Sequence, residues 1–418
     1  MGHIDTLIRT EMNNTNHEEY NFPLLVPHDL LDKENKLVQT LKLAREQGVD
    51  PSELRIEEET GGFEKEVYWV RHAGEHDLDV PMFLRPTSET PMYTMFSLWI
   101  RSHADLPLKT FQIVNTFRYE TKQTRSFIRV REIHFFEAHT AHADQSGADA
   151  QIDEDSDIVR RLLHDLCLPA IISKRPVWDT FPGAWYTNAV DAIMPNGRTL
   201  QIASYHHYRD QWARAFDITY EGADGSQSNC HQTTFGMSER LLGAVVGVHG
   251  DDAGLIMPPS IAPVQAIVMP VAAHLDEAVE PKAASIVERL KKSGVRAKLD
   301  SRDIRPGAKH YDWEIKGVPL RIEIGPRDLS TDSFVMTLRT GGKSSHNLET
   351  LEDTALKSLD DVSTELRRRS SNLMGSKMSA LQSLPEKPSD LDEGMVYEVA
   401  FDGNDADAEK LEKSTNLT

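Results

Sequence analysis

Two cysteines in 418 residues, Cys167 and Cys230, are too few for a disulfide framework or a cysteine-rich zinc site. A single bridge between them stays open, but free thiols are the expectation. No apolar run approaches the roughly 18 residues of a membrane helix, and the first residues, MGHIDTLIRTEMNN, lack the apolar centre of a signal peptide. These absences lead to the expectation of a soluble protein of the cytoplasm. Positive charge is also scarce, since 46 Lys and Arg against 66 Asp and Glu leave a net charge of −20. That charge argues against general nucleic-acid affinity, because such binding is driven by neutralising phosphates. It does not exclude a local basic patch on an acidic body. What the chain does have is a 39% apolar fraction, enough for sizeable cores in roughly two or three domains. No internal repeat is visible.

The densest chemistry lies in Phe111–His142, FQIVNTFRYETKQTRSFIRVREIHFFEAHTAH. It reads as two strands joined by a polar turn. A period of two puts Arg118 and Glu120 on one face of the first strand. It puts Arg129, Arg131, Phe135, Glu137 and His139 on one face of the second. A face carrying guanidinium, carboxylate and imidazole groups is costly unless it binds something charged. Guanidinium forks suit phosphate oxygens, and the interleaved acids suit amine or amide donors. A solvated hairpin laced with surface ion pairs accounts for the same residues. Pattern alone leaves both readings open.

Upstream, Ile4, Leu7, Ile8 and Met12 form one helical stripe in residues 4–15. A short strand at 22–27 and a helix over 28–47 follow, then an acidic loop and EVYWVRH (66–72). Residues 81–109 read as strand, turn and helix. Thr87, Ser88, Glu89 and Thr90 sit where that helix would be capped, which is the plainest role for them. Acidic runs at 144–157 and from Pro385 onward read as solvated faces and a weakly packed tail.

A helix over 151–166 turns Ile158, Leu162 and Leu163 inward. Three or four strands follow, split by Pro-Gly turns such as PNGRT (195–199). Ser204 and His206 share a face of the strand after that turn, where a lone histidine is more often packed than functional. Residues 231–252 read as a strand, Gly236 and a helix with Leu241/Val245 and Leu242/Val246 pairs. Arg240 falls in the first turn of that helix, opposing its dipole unless an anion partners it. A surface salt bridge is the plain alternative.

IMPPSIAP (256–263) is a Pro-rich hinge. Beyond it strands and helices alternate: VQAIVMPV, a helix over 276–292, VRAKLD, a helix near 307–316, then PLRIEIG and SFVMTLR. Alternation of this kind argues a separate small α/β domain. Its loops concentrate Arg302, Arg305, Lys309, Lys316, Arg321 and Arg327. Residues 349–382 read as helix, with Leu348, Leu351, Leu356 and Leu359 as the early apolar positions.

Five stretches in this order carry a resemblance: RPTSET (85–90), the hairpin above, TLQIASYHH (199–207), FGMSERLLGAVVGVHGDD, and RDIRPGAKHYDWEIKGVPLRIEIGPRDL (302–329). Together they resemble class II aminoacyl-tRNA synthetases, and within them the archaeal/eukaryotic type of prolyl-tRNA synthetase. The resemblance implies an α+β fold. An antiparallel class II sheet flanked by helices would span residues 1–258, and a small α/β anticodon-binding domain residues 259–346. A helix and a degenerate or truncated C-terminal domain would make up residues 347–418. The strand at Pro23 resembles motif 1 of the class, the hairpin motif 2, and the helix after Gly236 motif 3.

Too little chain separates His142 from Gln232 for the large editing insertion of the bacterial type. Both termini are shortened against the family's pattern. Asp402 and Asp407 stand where thiolates would be expected, so no structural zinc is expected. After His206 the sequence reads HYRDQWARAF, where the family has a Gly-Gln-containing run.

The implied activity is ATP-dependent attachment of L-proline to tRNA(Pro) through prolyl-adenylate, with Mg²⁺ accompanying ATP and a homodimer as the working unit. No membrane partner and no protein-bound metal are expected. The alternatives are a non-catalytic paralogue that binds RNA or protein, or an enzyme activating another small amino acid. The resemblance puts Arg118 on the α-phosphate and the substrate carboxylate, and Glu120 on the adenine amino group. Arg129 and Arg240 would hold the γ-phosphate, with Gln201 and Ser238 near the nucleotide. Arg118 and Arg240 count as catalytic, because the first step needs charge stabilisation at phosphorus more than it needs a base. Thr87 and Glu89 would receive the imino group of proline. Phe135 would wall its ring, with Glu137, His139, Ser204 and His206 around it. The basic loops of the small domain would hold the tRNA.

Overall fold

In the computed structural model, which describes residues 1–47, 67–383 and 391–415, hydrophobic period decides most elements. The stripe of Ile4, Ile8 and Met12 is the buried side of α1 (Gly2–Asn14). β1 (Glu18–Glu19), β2 (Leu25–Pro27) and α2 (His28–Gln47) follow. The acidic loop expected next lies outside the described residues. The strand expected over 22–27 shrinks to β2, with Pro23 before it. The cause is competition for its backbone: the Phe22 N–H donates to the Gln112 side chain, and the Phe22 carbonyl accepts from the Arg85 guanidinium. β3 (Tyr68–Ala73) and β4 (His76–Leu84) complete a three-stranded sheet with β2 and lead to α3 (Glu89–Trp99).

The hairpin arms are β5 (Leu108–Phe117) and β6 (Glu132–His142). Next come α4 (Gln145–Asp165), β7 (Ile171–Lys174), β8 (Tyr186–Ile193), β9 (Thr199–Arg209) and α5 (Gln211–Phe216). β10 (Thr219–Glu221), β11 (Gln227–Asn229), β12 (His231–Ser238) and α6 (Arg240–His249) end the first half. Seven strands join in the order β1-β5-β6-β12-β9-β8-β7, antiparallel apart from the β1–β5 pair. The stretch between His142 and Gln232 is thus spent on this sheet and its cover.

Alternation sorts the two faces of the sheet. Phe136, Tyr205 and Phe235 point into a core built with α1, α4 and α6. On the opposite face α3 and α5 bring Tyr93, Phe96, Trp212 and Phe216 against Tyr208. The run HYRDQWARAF is absorbed here. Asp210 opens α5 and pairs with Arg214 at 2.7 Å, while Arg209 lies 3.4 Å over the Trp185 ring.

The acidic run at 144–157 is not wholly solvated. α4 begins six residues before the expected start, capped by Asp144, and its Asp155 is 1% exposed, accepting from Gln151 Nε2 at 2.9 Å. Burial pushes that carboxyl up to about 7. The two thiols are free and buried, and burial raises Cys167 to about 11 and Cys230 to about 12.

The Pro-rich segment at 256–263 is packed rather than a loose hinge. Ile256, Met257, Ile261 and Ala262 are buried, and the Arg296 guanidinium donates to the carbonyls of Pro259, Ser260 and Ala262. Beyond it lie β13 (Ala266–Pro270), α7 (Val279–Lys292), β14 (Ala297–Leu299), α8 (Pro306–Ile315) and β15 (Leu320–Ile324). α9 (Pro326–Ser330), β16 (Ser333–Leu338) and β17 (Lys343–Asn347) complete a sheet ordered β14-β13-β15-β16-β17. α7 and α10 (Leu351–Lys377) bury one of its faces. Leu356 does not join that core: the buried stripe runs Leu351, Ala355, Leu359, Val362, Leu366, and helical geometry leaves Leu356 46% exposed.

The C-terminal stretch differs most from expectation. β18 (Met378–Leu381) pairs in parallel with β19 (Val396–Val399), and α11 (Asp405–Thr415) follows. Backbone contact substitutes for the missing apolar groups. At Gly197, in the PNGRT turn with φ +79°, an added Cβ would sit 1.7 Å from the Gly394 carbonyl oxygen. Among the described residues no helix is long and apolar enough to cross a membrane.

Candidate functional site

The register Glu137–Gly236–Ser204 across β6, β12 and β9 sets three aligned positions on one sheet face, beneath a cavity of about 410 Å³. Gly236 is an in-strand residue and not the break that the sequence suggested. A Cβ there would stand 2.9 Å from the tip of the Phe135 ring, so a larger residue would push that ring from the place where it walls the cavity.

One end of the cavity is built on two buried carboxylates. Glu89, 2% exposed, accepts from Thr87 Oγ1 at 2.5 Å and from Tyr208 Oη at 2.9 Å. Glu137, 1% exposed, accepts from the Ser88 N–H at 3.1 Å, Gln112 Nε2 at 2.8 Å and the Ser88 hydroxyl. Capping is therefore not what Thr87 and Ser88 do: Ser88 holds the cap position but makes no side-chain cap bond. Burial pushes the Glu137 carboxyl up. The His139 hydrogen bond and charge, with the Ser88 and Gln112 bonds, outweigh it and leave the pKa below its ordinary value. Behind Glu89 lies Glu34 of α2, which sequence reasoning missed. Burial, and then the charge of Glu89, hold it well above the usual carboxylate range.

His206 combines the packed and the functional reading. It lines the cavity, shares hydrogen bonds with Thr187 Oγ1 (2.7 Å) and Ser204 Oγ (3.2 Å), and lies 4.8 Å from the Phe181 ring at a tilt. Burial, then the nearby His139, lower it to about 3, so it is neutral at pH 7. His139 is fully buried and stands behind the wall rather than in it, with Nδ1 3.0 Å from Tyr93 Oη and Nε2 3.4 Å from Glu137. Glu89, Glu137 and His139 bring atoms within 4.8 Å of one another, a spacing that suits a cation. Hydrogen-bond donors already occupy most of those oxygens, which favours an ammonium over a metal ion.

The other end is cationic. Arg118, Glu120, Arg129 and Arg131 are not on strands, since β5 ends at Phe117 and β6 begins at Glu132. The period-two placement holds for Phe135, Glu137 and His139 and fails for these four. No apolar alternation runs through 118–131, and the segment folds instead as a loop closed by Arg118 N–H to Arg131 O (3.0 Å) and Arg125 N–H to Arg129 O (2.8 Å). Its tip, Phe127 at φ +61°, rests on α6, where a Cβ at Gly243 would come 3.0 Å from the Phe127 carbonyl.

Arg240, the first residue of α6, donates to Ile128 O at 2.8 Å and Gln201 O at 3.4 Å, so the surface salt bridge of the plain reading is replaced by one loop and one strand carbonyl. Burial, then the charges of Arg118 and Arg129, push its pKa down. Glu120 pairs with Arg129 at 2.8 Å, so part of the ion-pair reading also holds. Three guanidiniums still converge, a surplus of positive charge that an anion would relieve. Arg118 donates to Pro86 O at 3.2 Å and so stands between the two ends. Gln201 and Ser238 line the cavity beside Arg240.

The segment between β7 and β8, RPVWDTFPG (175–183), is one of the stretches with Pro-Gly turns, and nothing in the sequence marks it as part of a site beyond its paired aromatics beside prolines. It brings Arg175, Trp178 and Phe181 to the cavity. In the small domain the basic loops are partly spent on internal partners. Arg302 is held by Asp300 and Asp312, each at 2.8 Å. Lys309 is buried against Asp300 O, and Lys316 lies 4.6 Å over Trp313.

Residues 68–249 match the tRNA synthetase class II core domain (G, H, P, S and T), and residues 265–367 match the anticodon binding domain. The proline–tRNA ligase of Thermococcus kodakarensis is 48% identical over 389 residues, 92% of this chain and 76% of its own. That of Pyrococcus abyssi is 45% identical over 417 residues, 99% of this chain and 82% of its own. A solved structure of Giardia lamblia prolyl-tRNA synthetase in complex with prolyl-adenylate aligns with a TM-score of 0.89 at 31% identity, over 99% of this chain and 84% of that one. With two domain matches in series and relatives aligned over nearly its whole length, the chain belongs to the proline–tRNA ligase family of class II aminoacyl-tRNA synthetases.

Proposed function

We propose that the cavity carries out both steps of ATP-dependent attachment of L-proline to tRNA(Pro): formation of prolyl-adenylate with release of pyrophosphate, then transfer of the prolyl group to the terminal ribose. The observation that carries this reading is one cavity with two buried carboxylates at one end and three converging guanidiniums at the other. The secondary ammonium of proline is placed between Glu89 and Glu137, near Thr87, with Phe135 against the ring. Ser204 and His206 complete the pocket, and His139 acts from behind by orienting Glu137.

Arg118, between the ends, neutralises both the proline carboxylate and the α-phosphate as the carboxylate oxygen attacks phosphorus. Glu120 accepts from the adenine amino group. Arg129 and Arg240 hold the γ-phosphate, with Gln201 and Ser238 beside the nucleotide. For the magnesium that accompanies ATP, Glu239 fits: it is 8% exposed, lines the cavity, and its buried Oε2 has no hydrogen-bond partner among the described residues. Bound there, the ion would shield phosphate charge. The domain limits are 1–258, 259–346 and 347–418, with α10 of the last packed on the sheet of the middle domain, and the working unit is a homodimer in the cytoplasm that binds tRNA(Pro) through the middle domain.

Proline-dependent exchange of pyrophosphate into ATP tests the reading. The unaltered chain exchanges with proline, and Arg118→Ala abolishes exchange while circular dichroism stays unchanged and the unfolding midpoint does not fall. Exchange retained by the variant would refute the phosphate role.

A further inference from the structure

We infer that Glu412 of α11 is a positioning residue for the proline pocket, acting through Trp178, so that the C-terminal segment clamps one wall of the catalytic cavity. The inference rests on the site reading above and deepens it. Glu412 Oε2 accepts from Trp178 Nε1 at 2.5 Å across 234 positions of sequence. Trp178 lines the cavity.

The segment that carries Trp178 is stiff. The Asp179 N–H (3.0 Å) and the Thr180 hydroxyl (3.1 Å) both return to Pro176 O, so Trp178 and Phe181 move together. From Phe181 the contacts lead into the pocket. Its N–H donates to Thr187 Oγ1 at 2.9 Å, and its ring lies tilted against His206, which Thr187 and Ser204 hold from both ring nitrogens. A second anchor is independent of the first. Gly394 presses its carbonyl on Gly197, in the turn that joins β8 to β9, the strands bearing Thr187, Ser204 and His206. The C-terminal segment therefore grips both the loop over the pocket and the strands beneath it. Its composition gave no sign of this, being polar and acidic.

The test is steady-state exchange kinetics with proline and ATP varied in turn. Glu412→Ala raises the proline KM about three- to tenfold, less than the full worth of a hydrogen bond to a charged acceptor, because the bond acts on proline only through Trp178. The ATP KM and the unfolding midpoint do not move. Glu412→Gln keeps an oxygen acceptor for the indole and stays close to the unaltered chain. Glu409→Ala, on the same helix and paired with Lys413, changes nothing. Trp178→Phe together with Glu412→Ala is no worse than Trp178→Phe alone, because both changes remove the same bond. An unchanged proline KM in Glu412→Ala, or an equal rise in the ATP KM, overturns the clamp while leaving the site reading intact. No exchange by the unaltered chain overturns the site reading, and the clamp with it.

Discussion

Asp155 shows how far one buried group can set a pH dependence. Its carboxyl, raised to about 7 against an ordinary value of 3.8, binds its proton more tightly folded than unfolded. The stability it contributes is complete below the unfolded value and is lost as pH rises towards 7, at about 1.4 kcal/mol per pH unit. Asp155→Asn keeps an acceptor for Gln151 without the titration. Denaturant midpoints should show the variant gaining on the unaltered protein between about pH 4 and 7 and then levelling off. A gap independent of pH would mean that Asp155 does not hold a proton. This residue was not legible in the sequence, where it belonged to a run of acids read as solvated. Arg240 was legible, because a cation at a helix start asks for an anion whatever surrounds it.

Elements were legible where apolar residues kept a period. α1, α6 and the alternating strands and helices after 263 follow from spacing alone. The loop at 118–131 was not, because its shape comes from contacts remote in sequence, such as Phe127 against Gly243 and Ile128 O with Arg240. The C-terminal segment escaped for a related reason: carbonyl-to-glycine packing and one indole bond leave no hydrophobic pattern. Within β12 the close approach at Gly236 gives a further expectation. Gly236→Ala should displace the Phe135 ring and raise the proline KM at least severalfold, at a stability cost of about 1–3 kcal/mol from overpacking. The KM series and a urea titration would check both, and an unchanged proline KM would remove Phe135 from the pocket wall.

For the whole molecule, most residues that the resemblance named line one cavity, while His139 stands behind its wall, and the 175–183 segment, Glu34 and Glu239 were not among those named. Buried imidazoles govern its acid response. His17 and His207 are lowered to about 4, and His142 and His206 to about 3, in each case mainly by burial. A depressed histidine gives stability that is present above its ordinary value of 6.5 and is lost as pH falls, because the unfolded chain takes up protons that the native fold refuses. Asp155 and Glu34 act in the opposite direction but are fewer. Denaturant midpoints should therefore fall between pH 6.5 and 5. A midpoint that rises over that range would show that these imidazoles are not held neutral.

The convergence of Arg118, Arg129 and Arg240 has a consequence for the free chain. Like charges gathered in a half-buried place repel, so some of the folding energy is spent holding them together until a polyphosphate arrives. Binding then relaxes a stress as well as forming contacts. On the reading proposed above, the nucleotide would serve as counter-ion to this cluster, and its binding would raise the unfolding midpoint of the fold.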